Sequence, residues 1–382
     1  MPSLDQLWMQ ARAVGPRAPD PDGHWSVLAD GLQQNGDPRG TLMSLQLAFE
    51  HRPAATEERE AERRLLFEHR DAFLGPLARR SKQLWVEWRR GHVTTLEFTP
   101  DPWTTEAAEI LAALCEGGRL RLLEDLRLCS SVNFDNVLSE MAQHDWPYLR
   151  RLRLGPLSVG AGRTDVPLEP LLARMPRLEV LRLELPADVA GIRHPGLTSL
   201  TLHALPERLR HLDPSGLPAL NSLSVFTRDA CRAEDLERLE GWPLLELELG
   251  GGAFEGWSML RRRGRTRTPE RLVVHGIEPL RAAQRDGLPV VAGRRQNAVT
   301  DRLLTPRAWT HWRRFVRGDR FWSIRRDGSR IVLRFGQLGK AGRSREQSHH
   351  DAYAASRAYV ERVEVKRKEG YREAWLDDRS SP

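Results

Sequence analysis

From Val93 to Val274 the apolar positions recur in one pattern: an apolar residue, two others, Leu, one other, and an apolar residue again. It reads Val93-Thr-Thr-Leu96-Glu-Phe98, Leu123-x-x-Leu126-x-Leu128, Leu149-x-x-Leu152-x-Leu154, Leu178-x-x-Leu181-x-Leu183 and Leu197-x-x-Leu200-x-Leu202. Leu220-x-x-Leu223-x-Val225 and Leu244-x-x-Leu247-x-Leu249 follow, and a degenerate copy, Pro269-x-x-Leu272-x-Val274, closes the series. The starts step by 30, 26, 29, 19, 23, 24 and 25 residues. Alternation within a copy predicts a short strand with two inward side chains, which one unit cannot bury alone, so stacked neighbours must cover them. Between the early copies there is chain enough for a helix. Ala107, Ile110, Leu111 and Leu114 recur at helical spacing after Thr104 and Thr105, either of which suits an N-cap, and Phe134, Val137, Leu138 and Met141 do so after Asn133. Later copies are shorter and richer in Pro and Gly, as in Leu205-Pro206 and Asp213-Pro214, which predicts turns or one-turn helices.

This pattern resembles the leucine-rich repeat, whose period is roughly 20 to 29 residues. The resemblance implies an α/β solenoid over residues 91–289, with parallel strands on its concave face. The family places Asn or Cys three residues after the third apolar position; here those places hold Asp101, Ser131, Leu157 and Pro186. On the concave face one column reads Glu97, Arg127, Arg153, Arg182, Thr201, Ser224, Glu248, Val273, and the column beside it Thr95, Asp125, Arg151, Val180, Ser199, Ser222, Glu246, Arg271. Strands about 4.8 Å apart would gather Arg127, Arg151, Arg153 and Arg182 into a basic patch fitted to an acidic protein partner. The alternative is a solvated face balanced by Glu97, Asp125 and Glu184.

Residues 1–90 predict a small helical domain. Leu28, Leu32, Leu42, Leu45 and Leu47 fall in two stretches divided by Asn35-Gly36-Asp37-Pro38-Arg39-Gly40, a turn by its chemistry. Thr56 to Ala78 is helical in composition, with Glu57, Glu58, Glu60 and Glu62 early and Arg79 and Arg80 just beyond it, in accord with the helix dipole. Leu28-Ala29-Asp30-Gly31-Leu32, Gly36-Asp37-Pro38-Arg39-Gly40, Leu45-Gln46, Phe73-Leu74-Gly75-Pro76-Leu77 and Trp88-Arg89-Arg90-Gly91 are together similar to a short bacterial domain that accompanies repeat proteins. As an end cap, its helices would cover the open first repeat. Trp85, Trp88 and Trp103 are expected to pack at the junction.

Residues 290–308 lack periodicity and are expected to form a linker, preceded by the basic loop Arg261 to Arg267. Charge then concentrates. Residues 307–376 hold 18 Lys and Arg against 8 Asp and Glu, a net of +10; the whole chain carries +7, so the rest nets −3. Asp327-Gly328 suits a two-residue hairpin turn between Phe321-Trp-Ser-Ile324 and Ser329 to Phe335, and Ile331, Leu333 and Phe335 alternate against Arg330, Val332 and Arg334. Asp351 to Glu369 predicts a helix with Ala352, Ala355, Tyr359 and Val363 on one side. These features, with Phe335-Gly-Gln-Leu-Gly-Lys-Ala-Gly342 and Lys366-Arg-Lys-Glu-Gly-Tyr-Arg-Glu373, resemble the WGR domain, named for a Trp-Gly-Arg triplet. The resemblance implies an α+β module over 309–376, followed by a tail at 377–382. In eukaryotic poly(ADP-ribose) polymerases that module contacts DNA near strand ends. Phe335 stands in the Trp place and Gln337 in the Arg place, so a ring remains to stack while the guanidinium fork is lost. Nucleic-acid contact, to DNA or RNA, is therefore expected from Arg334, Phe335, Gln337, Lys340, Arg343 and Arg345.

The remaining composition excludes more than it assigns. No run of about 18 apolar residues exists, and the N-terminus lacks a secretory signal, so neither a membrane partner nor export is expected. Cys115, Cys129 and Cys231 are odd in number and embedded in apolar segments, which points to reduced thiols in a cytoplasm. No nucleotide-binding loop, dinucleotide fingerprint, nucleophile elbow or zinc-protease motif occurs, and His349-His350-Asp351 lacks further metal ligands. The expected function is thus non-enzymatic, without cofactor or metal: an adaptor holding a protein on its solenoid and nucleic acid at its tail domain. The alternative is a protein-only scaffold, and an enzyme with unrecognised chemistry is a third class.

Overall fold

A computed structural model describes residues 3–15, 19–20, 23–78, 84–98, 107–116, 119–130, 135–156, 167–186, 191–203, 209, 211–227, 242, 244, 246–251, 271–274, 290–292, 312–350 and 352–374. It is a mixed α/β structure with two separate sheets, one largely parallel and one antiparallel. Helices come first: α1 (Leu4–Val14), α2 (His24–Gln34), α3 (Pro38–His51), α4 (Thr56–Glu68) and α5 (Arg70–Leu74). Ser3 and Gln6 form a reciprocal capping box at α1. The segment Asn35 to Gly40 is only in part the expected turn. Asp37 caps α3 through the Arg39 amide and Pro38 opens the helix, so the turn is confined to Asn35 and Gly36. Gly40 must lack a side chain, because a Cβ there would lie 2.5 Å from the Ala29 carbonyl oxygen.

The ten-stranded sheet runs in chain order: β1 (Leu84–Arg89), β2 (His92–Phe98), β3 (Asp125–Ser130), β4 (Arg151–Pro156), β5 (Val180–Pro186), β6 (Ser199–His203), β7 (Ser222–Thr227), β8 (Glu246–Gly251), β9 (Arg271–Val274) and β10 (Val290–Ala292). From β2 onward every pairing is parallel, and the leucine pattern sets the register. Leu96, Leu126, Leu152, Leu181, Leu200, Leu223, Leu247 and Leu272 stand side by side, as do Phe98, Leu128, Leu154, Leu183, Leu202, Val225, Leu249 and Val274. Where side chains are described, these rows are buried in one continuous core. The ladder also reaches β10, three residues into the segment expected to be a linker. Between strands lie α6 (Ala107–Glu116), α7 (Asp135–Met141) and α8 (Glu169–Ala173), then the single turn Pro214–Gly216. Ile110, Leu111, Leu114, Val137, Leu138 and Met141 are buried as their spacing predicts. Thr104, Thr105, Asn133 and Phe134, Trp103 and the Arg261 to Arg267 run lie outside the described residues. Of the loop-tying places, Asp101, Ser131 and Leu157 are also outside them, while Pro186 ends β5. A tie is made instead by His194, whose ring nitrogens meet the Met175 carbonyl oxygen at 2.9 Å and the Gly196 amide at 3.2 Å.

Strand β1 is antiparallel to β2 and was not legible as a strand; Arg90 and Gly91, both at positive φ (47° and 70°), make the two-residue turn. This tip is anchored in the helices. The buried Arg90 guanidinium donates to Glu50 at 2.8 and 3.1 Å and to the Gly15 carbonyl at 3.3 Å, and it lies 5.4 Å from the Trp25 ring centroid. The Gly91 amide donates to Gln46 at 2.8 Å. Burial pushes the Glu50 carboxyl up, but the Arg90 hydrogen bond and the charges of Arg90 and Arg89 more than offset that and hold it below the usual carboxylate range. Trp88 meets Phe73 at 5.5 Å between ring centroids, whereas Trp85 packs against the core of the antiparallel sheet.

His92 follows this turn, wholly buried with its ring 4.7 Å from Trp8, and its Nε2 has no hydrogen-bond partner among the described residues. Burial, with the nearby Arg39 charge, lowers its pKa to about 3 against an ordinary 6.5, while Asp37 opposes the shift. On acidification the unfolded chain takes up this proton near pH 6.5 and the folded chain not until about 3, so folding loses stability across that window. Between pH 7 and 4.5 the loss through His92 should be about 2–3 kcal/mol. Urea unfolding of His92→Phe should show a correspondingly flatter pH dependence; an unchanged slope would refute the assignment.

Candidate nucleic-acid interface

The antiparallel sheet contains β11 (Arg313–Arg317), β12 (Arg320–Asp327), β13 (Arg330–Gln337), β14 (Arg343–Ser348) and β15 (Arg372–Ala374), in the spatial order β14-β13-β12-β11-β15. Helix α9 (Ala352–Lys368) packs on β12 and β13. Phe315, Trp322, Ile324, Ile331 and Leu333 form one core with Ala355, Tyr359 and Val363 of the helix. The expected alternation of β13 therefore holds, and the helix lies on its Ile331 and Leu333 side. The β12–β13 turn is one residue later than Asp327-Gly328, since Asp327 pairs with Arg330 and the loop is Gly328-Ser329. Strands β11, β14 and β15 were not read from the sequence.

The predicted contact residues divide between two surfaces. Phe335 continues the Ile331 and Leu333 row past the core and is 39% exposed, opposite Arg343 on the edge strand β14. Arg345 faces Leu333 on the same side, and both arginines are exposed. The Gln337 amide reaches Asp319 at 3.4 Å, and Leu338, 43% exposed, donates its backbone amide to the Asp319 carbonyl at 2.7 Å. Lys340 is exposed on the turn, with its backbone amide on the Gln337 carbonyl. The result is a tip with an uncovered ring and leucine surrounded by Lys340 and Arg343, able to stack on a base or sugar and to pair with phosphate.

Arg334 is not part of that tip. Its strand position puts it on the opposite face, across from Ser323 on β12 and Ser344 on β14. Sequence reading missed its neighbours there. Arg314 is opposite Ser323 from the β11 side, and Arg325 lies two residues along β12. The Arg325 and Arg334 guanidinium carbons lie 5.1 and 5.8 Å from the Trp312 ring centroid, and that of Arg314 lies 4.7 Å from Phe321. Alternation in β11 and β12 was the available signal; without β11 as a strand it could not be used.

On the parallel sheet, Arg127, Arg151, Arg153 and Arg182 do occupy neighbouring registers. Arg127 pairs at 3.3 Å with Glu97, which is 2% exposed, Arg151 pairs at 2.9 Å with Asp125, and Arg153 and Arg182 have interactions of their own. Cys115 is a free thiol whose pKa burial, with Glu140 and Glu116 nearby, raises to about 12, which leaves it a poor nucleophile. Among the described residues no cluster of His, Cys, Asp and Glu is placed to hold a metal ion, and no helix is long and apolar enough to cross a membrane.

Comparison with protein families assigns the basic segment. Residues 313–377 match the WGR domain. The WGR match begins at β11 and includes α9 and β15. No curated protein and no solved structure matches the chain.

Gly342 fixes the base of the WGR tip. Its φ is +72°, and a Cβ would lie 2.6 Å from the Phe321 ring and 2.9 Å from the Phe335 carbonyl oxygen. Gly339 has φ +78° but open space around it. Gly342→Ala should therefore cost about 2–3 kcal/mol and Gly339→Ala about 1. Hydrogen exchange of the β13 amides should show this order, and equal losses would contradict the packing.

Proposed function

We propose that the protein is a non-enzymatic adaptor of a bacterial cytoplasm that joins a protein partner to nucleic acid. The observation that carries the nucleic-acid half is the exposed, basic-ringed Phe335 tip within a matched WGR domain, residues 313–377, whose 17 Lys and Arg against 9 Asp and Glu give a net charge of +8. Arg334, Phe335, Gln337, Lys340, Arg343 and Arg345 supply the contacts. Phe335 stacks at a strand end, Gln337 donates a hydrogen bond and the basic residues meet phosphates.

For the rest of the chain we infer a leucine-rich-repeat solenoid over residues 91–289, with a linker at 290–308 whose first residues form a last rung. Residues 1–90 are its repeat-companion cap, 309–376 the WGR module and 377–382 a tail. In-register leucine rows and one parallel strand per 19 to 30 residues support that reading. The concave face receives an acidic protein surface on Arg127, Arg151, Arg153 and Arg182, two of which exchange their internal carboxylates for the partner's.

A second reading, a protein-only scaffold, is favoured by the loss of the arginine at Gln337. Titration of the full chain with fluorescein-labelled, blunt-ended hairpin DNA separates the two. The adaptor predicts salt-dependent binding, weakened about tenfold by Phe335→Ala; no binding at low salt leaves the scaffold. For the protein half, pull-downs from nuclease-treated native lysate should lose their partners when Arg127, Arg153 and Arg182 are all changed to Glu. Unchanged recovery would remove the basic rows from the interface.

A further inference from the structure

We propose that the helix-free face of the antiparallel sheet is a second nucleic-acid contact, in which Arg314, Arg325 and Arg334 take phosphates of the backbone. The proposal rests on the nucleic-acid reading above and places contacts where neither the altered triplet nor the glycine-rich turn reaches. Arg314, Ser323 and Arg334 lie in line across three adjacent strands, which sets the two arginines about 10 Å apart. Arg325 is on the same face, two residues from Ser323.

Charge balance decides what this face fits. Elsewhere in the domain Arg330 is paired with Asp327 and Glu346, and Lys366 with Glu369. Arg314, Arg325 and Arg334 have no carboxylate partner among the described residues; each is held over an aromatic ring, and the Nε atoms of Arg314 and Arg325 are buried without a hydrogen bond. Glu346, the acid on this side of β14, is committed to Arg330, and the β14 residue beside Arg334 is Ser344. Three cations gathered on one face repel one another, and an anionic chain relieves that repulsion. Cation–π contacts orient the guanidinium groups without neutralising them, which leaves their charge for phosphate. A polyanion of regularly spaced phosphates suits such a row better than an acidic peptide, because all three groups are positive and the Phe321 and Trp312 rings beneath them are already taken by the guanidinium groups.

The test measures the salt dependence of full-chain binding to the blunt-ended hairpin DNA by anisotropy, from about 50 to 200 mM salt. Changing Arg314, Arg325 and Arg334 together to Gln should lower the magnitude of the log–log salt slope by about 2 to 3, near 0.9 for each phosphate lost. Preference for a free end over a closed circle should persist. Arg→Lys at the same three positions should keep the slope, which separates charge from misfolding, and single Arg→Gln changes should each lower it by about 1. An unchanged slope in the triple Gln variant, with end binding still sensitive to Phe335→Ala, overturns this proposal and leaves the tip intact. Failure of the unaltered chain to bind at all overturns both.

Discussion

A strand of the parallel sheet has two apolar side chains directed inward and no means of burying them except the strands on either side. Burial of one leucine contributes about 1.5–3 kcal/mol, so each rung stands to gain roughly twice that, conditional on its neighbours being in register. The rows through Leu152 and Leu154 meet this condition along the sheet, and each row is continuous from β2 to β9. Stability gained this way is cooperative along the ladder and weakest at its ends. The first end is closed by an antiparallel strand and by helices, and that closure depends on Arg90. A non-glycine residue at positive φ costs about 1–3 kcal/mol, here offset by the Arg90 bonds to Glu50 and Gly15 and its place over Trp25. Tyr148, just before β4, adds a hydrogen bond to the Arg12 carbonyl, so α1 is tied to the sheet as well.

The register that aligns leucines also aligns whatever stands between them. Arg127, Arg153 and Arg182 are consecutive in one row because Leu126, Leu152 and Leu181 are consecutive in the next. At a strand spacing of about 4.8 Å such a row repels itself, and its first member is neutralised by a nearly buried glutamate, Glu97. Removing Glu97 alone would take this ion pair from an Arg127 side chain that is only 12% exposed, a costlier change than losing both charges. The charged surface is therefore a consequence of the core's periodicity with a compensating carboxylate built in at the ladder's first rung.

The same periodicity explains what could be read in advance. Eight copies of one apolar spacing specify strand position, direction and register, and Ile110, Leu111, Leu114, Val137 and Leu138 specify helices between them. Strand β1 was obscured because three of its six residues are Trp or Arg and it lacks the leucine spacing; its partner is fixed by the Arg90-Gly91 turn, an unusual residue at positive φ. Pro38 looked like turn chemistry because proline serves equally well as the second residue of a turn and the first of a helix. At the candidate site Phe335, Gln337, Lys340, Arg343 and Arg345 were recognisable from the triplet and the glycines, whereas Arg314 and Arg325 depend on pairings between distant strands.

Parity along a strand is what separates the two basic surfaces. Phe335 and Gln337 differ by two residues and share a side; Arg334, adjacent to Phe335 in sequence, is on the other. Proximity in the chain therefore grouped Arg334 with the wrong neighbours, and the register Arg314, Ser323, Arg334 supplies the right ones. With the Ile331 and Leu333 side filled by α9, the basic groups of this sheet stand either at the uncovered end of that side, beside Phe335, or on the opposite face around Ser323. Gln337 in the triplet's arginine place removes a charge from the first of these alone. Three arginines held over rings on the second keep their charge, so the positive excess of the domain is shifted away from the triplet without being lost.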